Sequence, residues 1–226
     1  EPALNKNKVV AGGIYTEADA SGDIHKYCVN LGHVLSSKYG VKFKFNEQVK
    51  DIHGLDAPIV STNKEDIPFD KVIICAGVKT QEFRNKFGDN FRIYPVKGYS
   101  ITIDLHDEIS RNAAPYVSIK DDNSKIVSSR LGNRLRVAGT AELAGENKEI
   151  RKERITPLVE WVNDCFPEIN TDNFITWAGL RPMTSDMVPV MRESKRKNVF
   201  YNSGHGHLGW TMAAFAAKFV SDLIED

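Results

Sequence analysis

Ser203-Gly204-His205-Gly206-His207-Leu208-Gly209 stands between a short strand-like run, 198–202, and a final stretch that reads as a helix running to the end of the sequence. A strand, a glycine-rich turn and a helix in succession are the grammar of an α/β unit. Glycines let a ligand approach the backbone, and a helix N-terminus aims free N–H groups and positive potential at negative charge. The spacing matches G-x-G-x-x-G, but that fingerprint opens a βαβ unit whose second strand ends in a ribose-binding acid. After Gly209 the sequence continues only to Asp226, so no second strand follows the motif. A ligand-facing loop and a plain tight turn both remain open on these residues.

Upstream, the α/β texture recurs and is then interrupted. Ile24, Tyr27, Cys28, Leu31, Val34 and Leu35 form an apolar stripe of helical period, predicting a helix over 23–39 that Gly40 ends. Lys8 to Tyr15, and Val41, Phe43 and Phe45 in alternation over 41–46, predict strands. The continuous run Val72-Ile-Ile-Cys-Ala-Gly77 predicts a strand buried on both faces, as in a parallel sheet covered by helices. From Arg92 the pattern changes. Tyr99, Ile101, Ile103 and Leu105 alternate, and three more strand-like runs follow at 115–120, 125–131 and 133–139. Asp122-Asn123 and Gly132-Asn133 sit between them as turns, which predicts an antiparallel meander. A helix over 148–165, broken or bent at Pro157, presents Leu158, Trp161, Val162 and Cys165 inward. Strand and loop then return over 174–191.

Composition limits the function classes. Thirty basic residues balance thirty acidic ones, so no basic excess is available to coat a nucleic acid. No apolar stretch reaches the roughly 20 residues that cross a bilayer. Cys28, Cys75 and Cys165 are sparse and odd in number, which fits a reducing compartment rather than a disulfide framework. His205 and His207 alternate without a third ligand nearby, so no metal centre is expected. Arg181 lies among apolar neighbours and before Pro182, where an unpaired cation is costly. It forms an internal ion pair or receives an anion. Lys97, on a strand, raises the same question.

These segments together carry a resemblance. Trp177-Ala-Gly-Leu-Arg-Pro-Met-Thr-Ser-Asp186 and Asn202-Ser-Gly-His-Gly-His-Leu-Gly-Trp-Thr-Met212 closely resemble the FAD-dependent D-amino acid, glycine and sarcosine oxidase family, the bacterial D-amino acid dehydrogenases above all. Tyr94-Pro-Val-Lys-Gly-Tyr-Ser100, Val72 to Gly77 and Ala138-Gly-Thr-Ala-Glu-Leu-Ala-Gly145 are similar to segments of that family in the same order. The resemblance covers nearly the whole chain. Family members begin with a strand, a G-x-G-x-x-G loop and a helix, and nothing before Lys71 fits that pattern. The resemblance therefore implies the C-terminal half of such an enzyme. The expected fold is mixed α/β: the later part of a FAD-binding Rossmann-like domain, interrupted by an antiparallel β-sheet substrate domain. Residues 1–19 and 91–174 would form the substrate domain, and 20–90 and 175–226 the remainder of the FAD domain.

The resemblance also assigns roles. Arg181 would hold the substrate carboxylate, and Lys97 and Gly98 would pass near the flavin. Tyr99 and Tyr116 are the candidates for a substrate-facing tyrosine. Val49 would meet the adenine through its backbone, and Cys75, Ala76 and Gly77 would line the passage of the ribose and pyrophosphate. Gly204, His205, Gly206, His207, Leu208, Gly209, Trp210 and Thr211 would face the flavin ring, with the N–H groups of Leu208 and Gly209 near its pyrimidine edge. His207 departs from the small hydroxyl residue of relatives. The implied reaction takes a D-amino acid to its imino acid by hydride transfer from Cα to flavin N5. Water then yields a 2-oxo acid and ammonia, and the electrons pass to a quinone or a dye rather than to oxygen. The implied partners are the D-amino acid, that acceptor and the N-terminal half of the protein, with no nucleic acid. The implied location is the cytoplasm, with peripheral attachment to the inner face of the bacterial inner membrane. A glycine or sarcosine type of amine oxidase, and an inactive fragment unable to retain FAD, are the alternatives.

Overall fold

In the computed structural model, which describes residues 1, 3–5 and 10–225, the elements run in chain order as follows. α1 (Ile24–Tyr39) leads to β1 (Val49–His53), β2 (Ile59–Thr62), β3 (Asp66–Pro68) and β4 (Val72–Ile74). A 3₁₀ turn (Gly77–Lys79) opens α2 (Thr80–Phe87). Then come β5 (Ile93–Asp104), α3 (Glu108–Ala113), β6 (Ile119–Asp121), β7 (Ile126–Leu131) and β8 (Arg134–Glu142). α4 (Lys152–Cys165), β9 (Phe174–Thr184), β10 (Val190–Glu193), β11 (Val199–Ser203) and α5 (Ala213–Glu225) complete the chain. Two compact units emerge: Glu1–Val29 with Lys97–Gly179, and Asn30–Val96 with Leu180–Asp226. The chain changes unit near residues 30, 97 and 180, where the resemblance implied domain changes near 20, 91 and 175.

The first unit is built on a five-stranded sheet ordered β6-β7-β8-β5-β9. Period-2 alternation puts Tyr99, Ile101 and Ile103 of β5 on one face, opposite Gly139, Val137 and Leu135 of β8 in antiparallel register. That face carries the core, closed by Ile155, Leu158, Trp161, Val162 and Cys165 of α4. Burying each such side chain contributes roughly 1.5–3 kcal/mol. Pro157 lies inside α4, and the helix runs through it rather than breaking. Trp161 donates its indole N–H to Asp121 Oδ2 at 2.9 Å, tying α4 to the end of β6.

The second unit holds two three-stranded sheets. β1-β2-β3 is an antiparallel meander, and β10-β11-β4 pairs β11 with β4 in parallel, Val199 opposite Val72 and Tyr201 opposite Ile74. Its core gathers Ile52, Ile74, Phe83, Val190, Val199 and Tyr201.

Four expectations need correction. β4 is a strand in a parallel pair, but it is an edge strand, and Ile73 is 45 % exposed rather than buried. Residues 41–46 form no strand. Phe43 and Phe45 do point the same way, their rings stacked at 5.7 Å, but no neighbouring backbone among the described residues completes a ladder. Of the strand expected at Lys8 to Tyr15, Lys8 and Val9 lie outside the described residues, and residues 10–15 are irregular and exposed. The helix expected over 23–39 is present, yet it buries none of its side chains. An apolar stripe records what a helix can pack against, not whether a partner is there. Among the described residues no helix is long and apolar enough to cross a membrane.

Candidate functional site

The second unit places the ends of β4, β9 and β11 around the glycine-rich loop. β4 and β11 are parallel, so their carboxyl ends lie together, the usual ligand position in an α/β sheet. Thr80 donates its hydroxyl to Ser203 Oγ at 2.9 Å, and Ser203 donates to the Gly77 carbonyl at 3.1 Å. These buried bonds fix the turn Cys75-Ala76-Gly77 against the start of the loop. The loop then presses on β9. Gly206 donates its N–H to the Pro182 carbonyl at 2.9 Å, and His205 bridges Met183. A Cβ on Gly204 would stand 2.9 Å from Thr184 Cγ2, and one on Gly206 would stand 2.5 Å from Met183 Sδ. Both have positive φ, 78° and 56°, which glycine adopts at little cost. The spacing G-x-G is here a matter of backbone contact with β9.

Three buried polar atoms around this loop have no hydrogen-bond partner among the described residues: Asn202 Oδ1, His205 Nε2 and Thr184 Oγ1. Burial of such atoms costs about 1–3 kcal/mol each unless something pairs with them. Burial also pulls the His205 imidazole below its ordinary pKa, which favours its neutral form. The Leu208 N–H is spent on the His205 carbonyl at 3.0 Å. The Gly209 N–H has no such acceptor among the described residues. His207, Leu208, Trp210 and Thr211 are exposed at the approach to α5. Arg181 is half-buried on β9. Val49 opens the edge strand β1 opposite Thr62.

In the first unit Lys97, Gly98 and Tyr99 sit on β5 at a bulge in its pairing with β8. Lys97 is 1 % exposed, and its ammonium lies 3.2 Å from Glu142 Oε2 and donates to the Glu149 carbonyl at 3.0 Å. Tyr99 donates its hydroxyl to the same Glu142 oxygen at 2.5 Å, and Arg151 pairs with Glu142 Oε1 at 2.5 Å. Tyr99 and Glu142 hold the Lys97 ammonium above the ordinary lysine pKa, while Tyr99, Lys97 and Arg151 hold the Glu142 carboxyl below the ordinary carboxylate value. Lys97 is thus one half of a closed internal ion pair with Glu142. Glu142, at the centre of this cluster, was not singled out by sequence. Its signal was its place at the end of an alternating strand, opposite Lys97 in register. Tyr116 lies apart, exposed on an irregular segment under the Arg130 guanidinium at 5.3 Å.

Comparison with known proteins agrees with this architecture. Residues 1–223 match the FAD dependent oxidoreductase (DAO) family. D-amino acid dehydrogenase 3 of Mesorhizobium japonicum is 44 % identical over 229 residues, 99 % of this chain and 55 % of the relative. D-amino acid dehydrogenase of Neisseria meningitidis is 36 % identical over 228 residues, again 99 % of this chain and 54 % of the relative. Among solved structures, L-proline dehydrogenase from P. horikoshii superposes with a TM-score of 0.74 at 17 % identity, covering 87 % of this chain and 54 % of that one. Glycine oxidase from Bacillus cereus gives 0.69 at 24 %, covering 79 % and 50 %. The chain spans about half the length of the curated relatives it matches. It is a mixed α/β chain with the fold of the C-terminal part of these flavoproteins, and it belongs to the FAD dependent oxidoreductase family.

Proposed function

We propose that this chain forms the C-terminal half of a FAD-dependent D-amino acid dehydrogenase, which oxidises a D-amino acid to an imino acid that water hydrolyses to a 2-oxo acid and ammonia. The observation that carries the reading is the glycine loop at the ends of β4, β9 and β11, with the unpaired Asn202 Oδ1, His205 Nε2 and Thr184 Oγ1 around it. A cofactor rich in donors and acceptors, such as the isoalloxazine of FAD, suits that set. Bound FAD would supply the two-electron acceptor. The loop Gly204 to Thr211, the turn Cys75 to Gly77 and the backbone at Val49 would hold it. The 44 % identity to a D-amino acid dehydrogenase, along 99 % of the chain, supports the D-amino acid as substrate.

The chain's own groups then bind and orient. Arg181 would hold the substrate carboxylate with its planar fork, which matches a carboxylate bidentately. No side-chain base is needed if the amine arrives neutral. Neither Lys97 nor Tyr99 is free to act as one, since both direct their protons at Glu142. Their part is to fix the bulge at 97–99 on β5. A quinone or dye would accept the electrons. The remaining half of a relative-length protein would cover the exposed stripe of α1 and the open side of β4.

An absorption spectrum after incubation with FAD and desalting tests the proposal. Retained oxidised-flavin bands that bleach with D-alanine under nitrogen are the expected result. Retained bands that bleach with sarcosine or glycine and not with D-alanine would overturn the substrate. A colourless chain that stays colourless with the N-terminal half of a relative supplied in trans would overturn the cofactor assignment.

A further inference from the structure

We propose that Arg136, with Ser100 and Trp177, forms a carboxylate-binding position on the face of the five-stranded sheet opposite α4. The assignment rests on the reading of the ligand as an amino acid. Register sets the place. Leu135, Val137 and Gly139 of β8 face the core, so Arg136 projects from the other face, between Thr102 of β5 and Ser129 of β7. From β9, on the far side of β5, the Trp177 indole meets the guanidinium at 5.8 Å. Ser100 of β5 lies under this span, only 1 % exposed, and accepts a long hydrogen bond from Arg136 at 3.4 Å.

This cluster has donors and no acceptor to match them. The neighbouring arginines are satisfied: Arg134 pairs with Asp23 at 3.0 Å, and Arg130 donates to the carbonyls of Gly132 and Ala114. Among the described residues Arg136 has no carboxylate within 4.0 Å and a single hydrogen bond, to Ser100, which leaves most of its five N–H donors unmatched. The Ser100 hydroxyl proton likewise has no acceptor there. Burial pulls the guanidinium below its ordinary pKa. A planar fork beside a buried hydroxyl, backed by an indole, is donor geometry for a carboxylate. Gly179 preserves the arrangement. A Cβ there would stand 2.0 Å from the Trp177 ring, so only glycine lets the indole fold back over β9. The carboxylate is one on the ligand's side chain, since the α-carboxylate is assigned above to Arg181.

Tryptophan fluorescence of the 226-residue chain, titrated with D-alanine, D-aspartate and inorganic phosphate, tests this without flavin. The expected result is a saturable change with D-aspartate, weakened about tenfold or more in Arg136→Leu with far-ultraviolet circular dichroism unchanged. A response to D-aspartate alone supports the assignment, and equal responses to D-alanine and D-aspartate would overturn it. If Arg136→Leu misfolds, Ser100→Ala and Arg136→Lys take its place, and each should weaken binding while keeping the charge. The proposal is overturned by no saturable change with D-aspartate, by variants that titrate like the parent, or by phosphate binding as tightly as D-aspartate. Because no flavin takes part, the titration can fail in a chain that retains FAD and succeed in one that does not.

Discussion

Asp121 shows how one contact sets a residue's chemistry. The Trp161 indole N–H and Ser124 hold its carboxyl at about 2, below the ordinary 3.8. A depressed carboxylate contributes stability that is present above the ordinary value and lost as pH falls toward the folded one. Thermal melts of the parent and Trp161→Phe should therefore differ most at pH 5 and converge toward pH 2.5, the lost packing being a constant offset. A gap that does not narrow would remove the indole–carboxylate bond from the account. Arg181 carries a second prediction at this scale. In the full-length enzyme, Arg181→Leu should weaken apparent substrate affinity by about 2–5 kcal/mol, the range for removing one partner of a buried charge pair. Steady-state kinetics with normal apparent affinity would sink the carboxylate role. The residues themselves were readable as candidates, but their partners were not: Glu142 stands 45 positions from Lys97 in sequence, and only the β5–β8 register brings them together.

At the scale of elements, the loop 203–209 and α1 give opposite lessons. The loop was legible because glycines at fixed spacing between a strand and a helix admit few conformations, and its contacts with β9 explain the spacing. Gly206→Ala puts a Cβ against Met183 in a left-handed backbone, costing about 1–2 kcal/mol. Gly209→Ala meets only His205 Cβ at 3.4 Å and has no positive φ. Melting temperature and flavin retention should fall clearly more in the first variant than in the second; equal losses would mean that the contact with Met183 does not matter. α1 was legible as a helix through its period, and its burial was misread. The antiparallel character of the middle segment was legible because alternation of Tyr99, Ile101 and Ile103 against polar neighbours suits a sheet with one face covered, but the simple meander was not borne out: β5 pairs with β8 rather than with β6.

For the whole molecule, the exposed stripe of α1 and exposed Ile73 are the apolar surface that the proposed N-terminal half would cover. Hydrogen exchange should find α1 amides far less protected than those of β5 and β8, because no side chain of α1 is buried to resist local opening. Supplying the N-terminal half of a relative in trans should slow exchange in α1 and leave β8 unchanged. Exchange in α1 that stays fast would separate this helix from the proposed covering surface. The sequence by itself determined the helices α1, α4 and α5, the antiparallel character of the middle segment and the family, because periodicity, turn residues and local motifs act over a few residues. Tertiary structure alone decided that Lys97 is held by Glu142 and that Arg136 has no carboxylate beside it among the described residues. It also decided which apolar faces are covered. Those outcomes depend on strand register and on pairings between residues far apart in the chain, and desolvation makes a charge favourable or costly only once its neighbours are fixed.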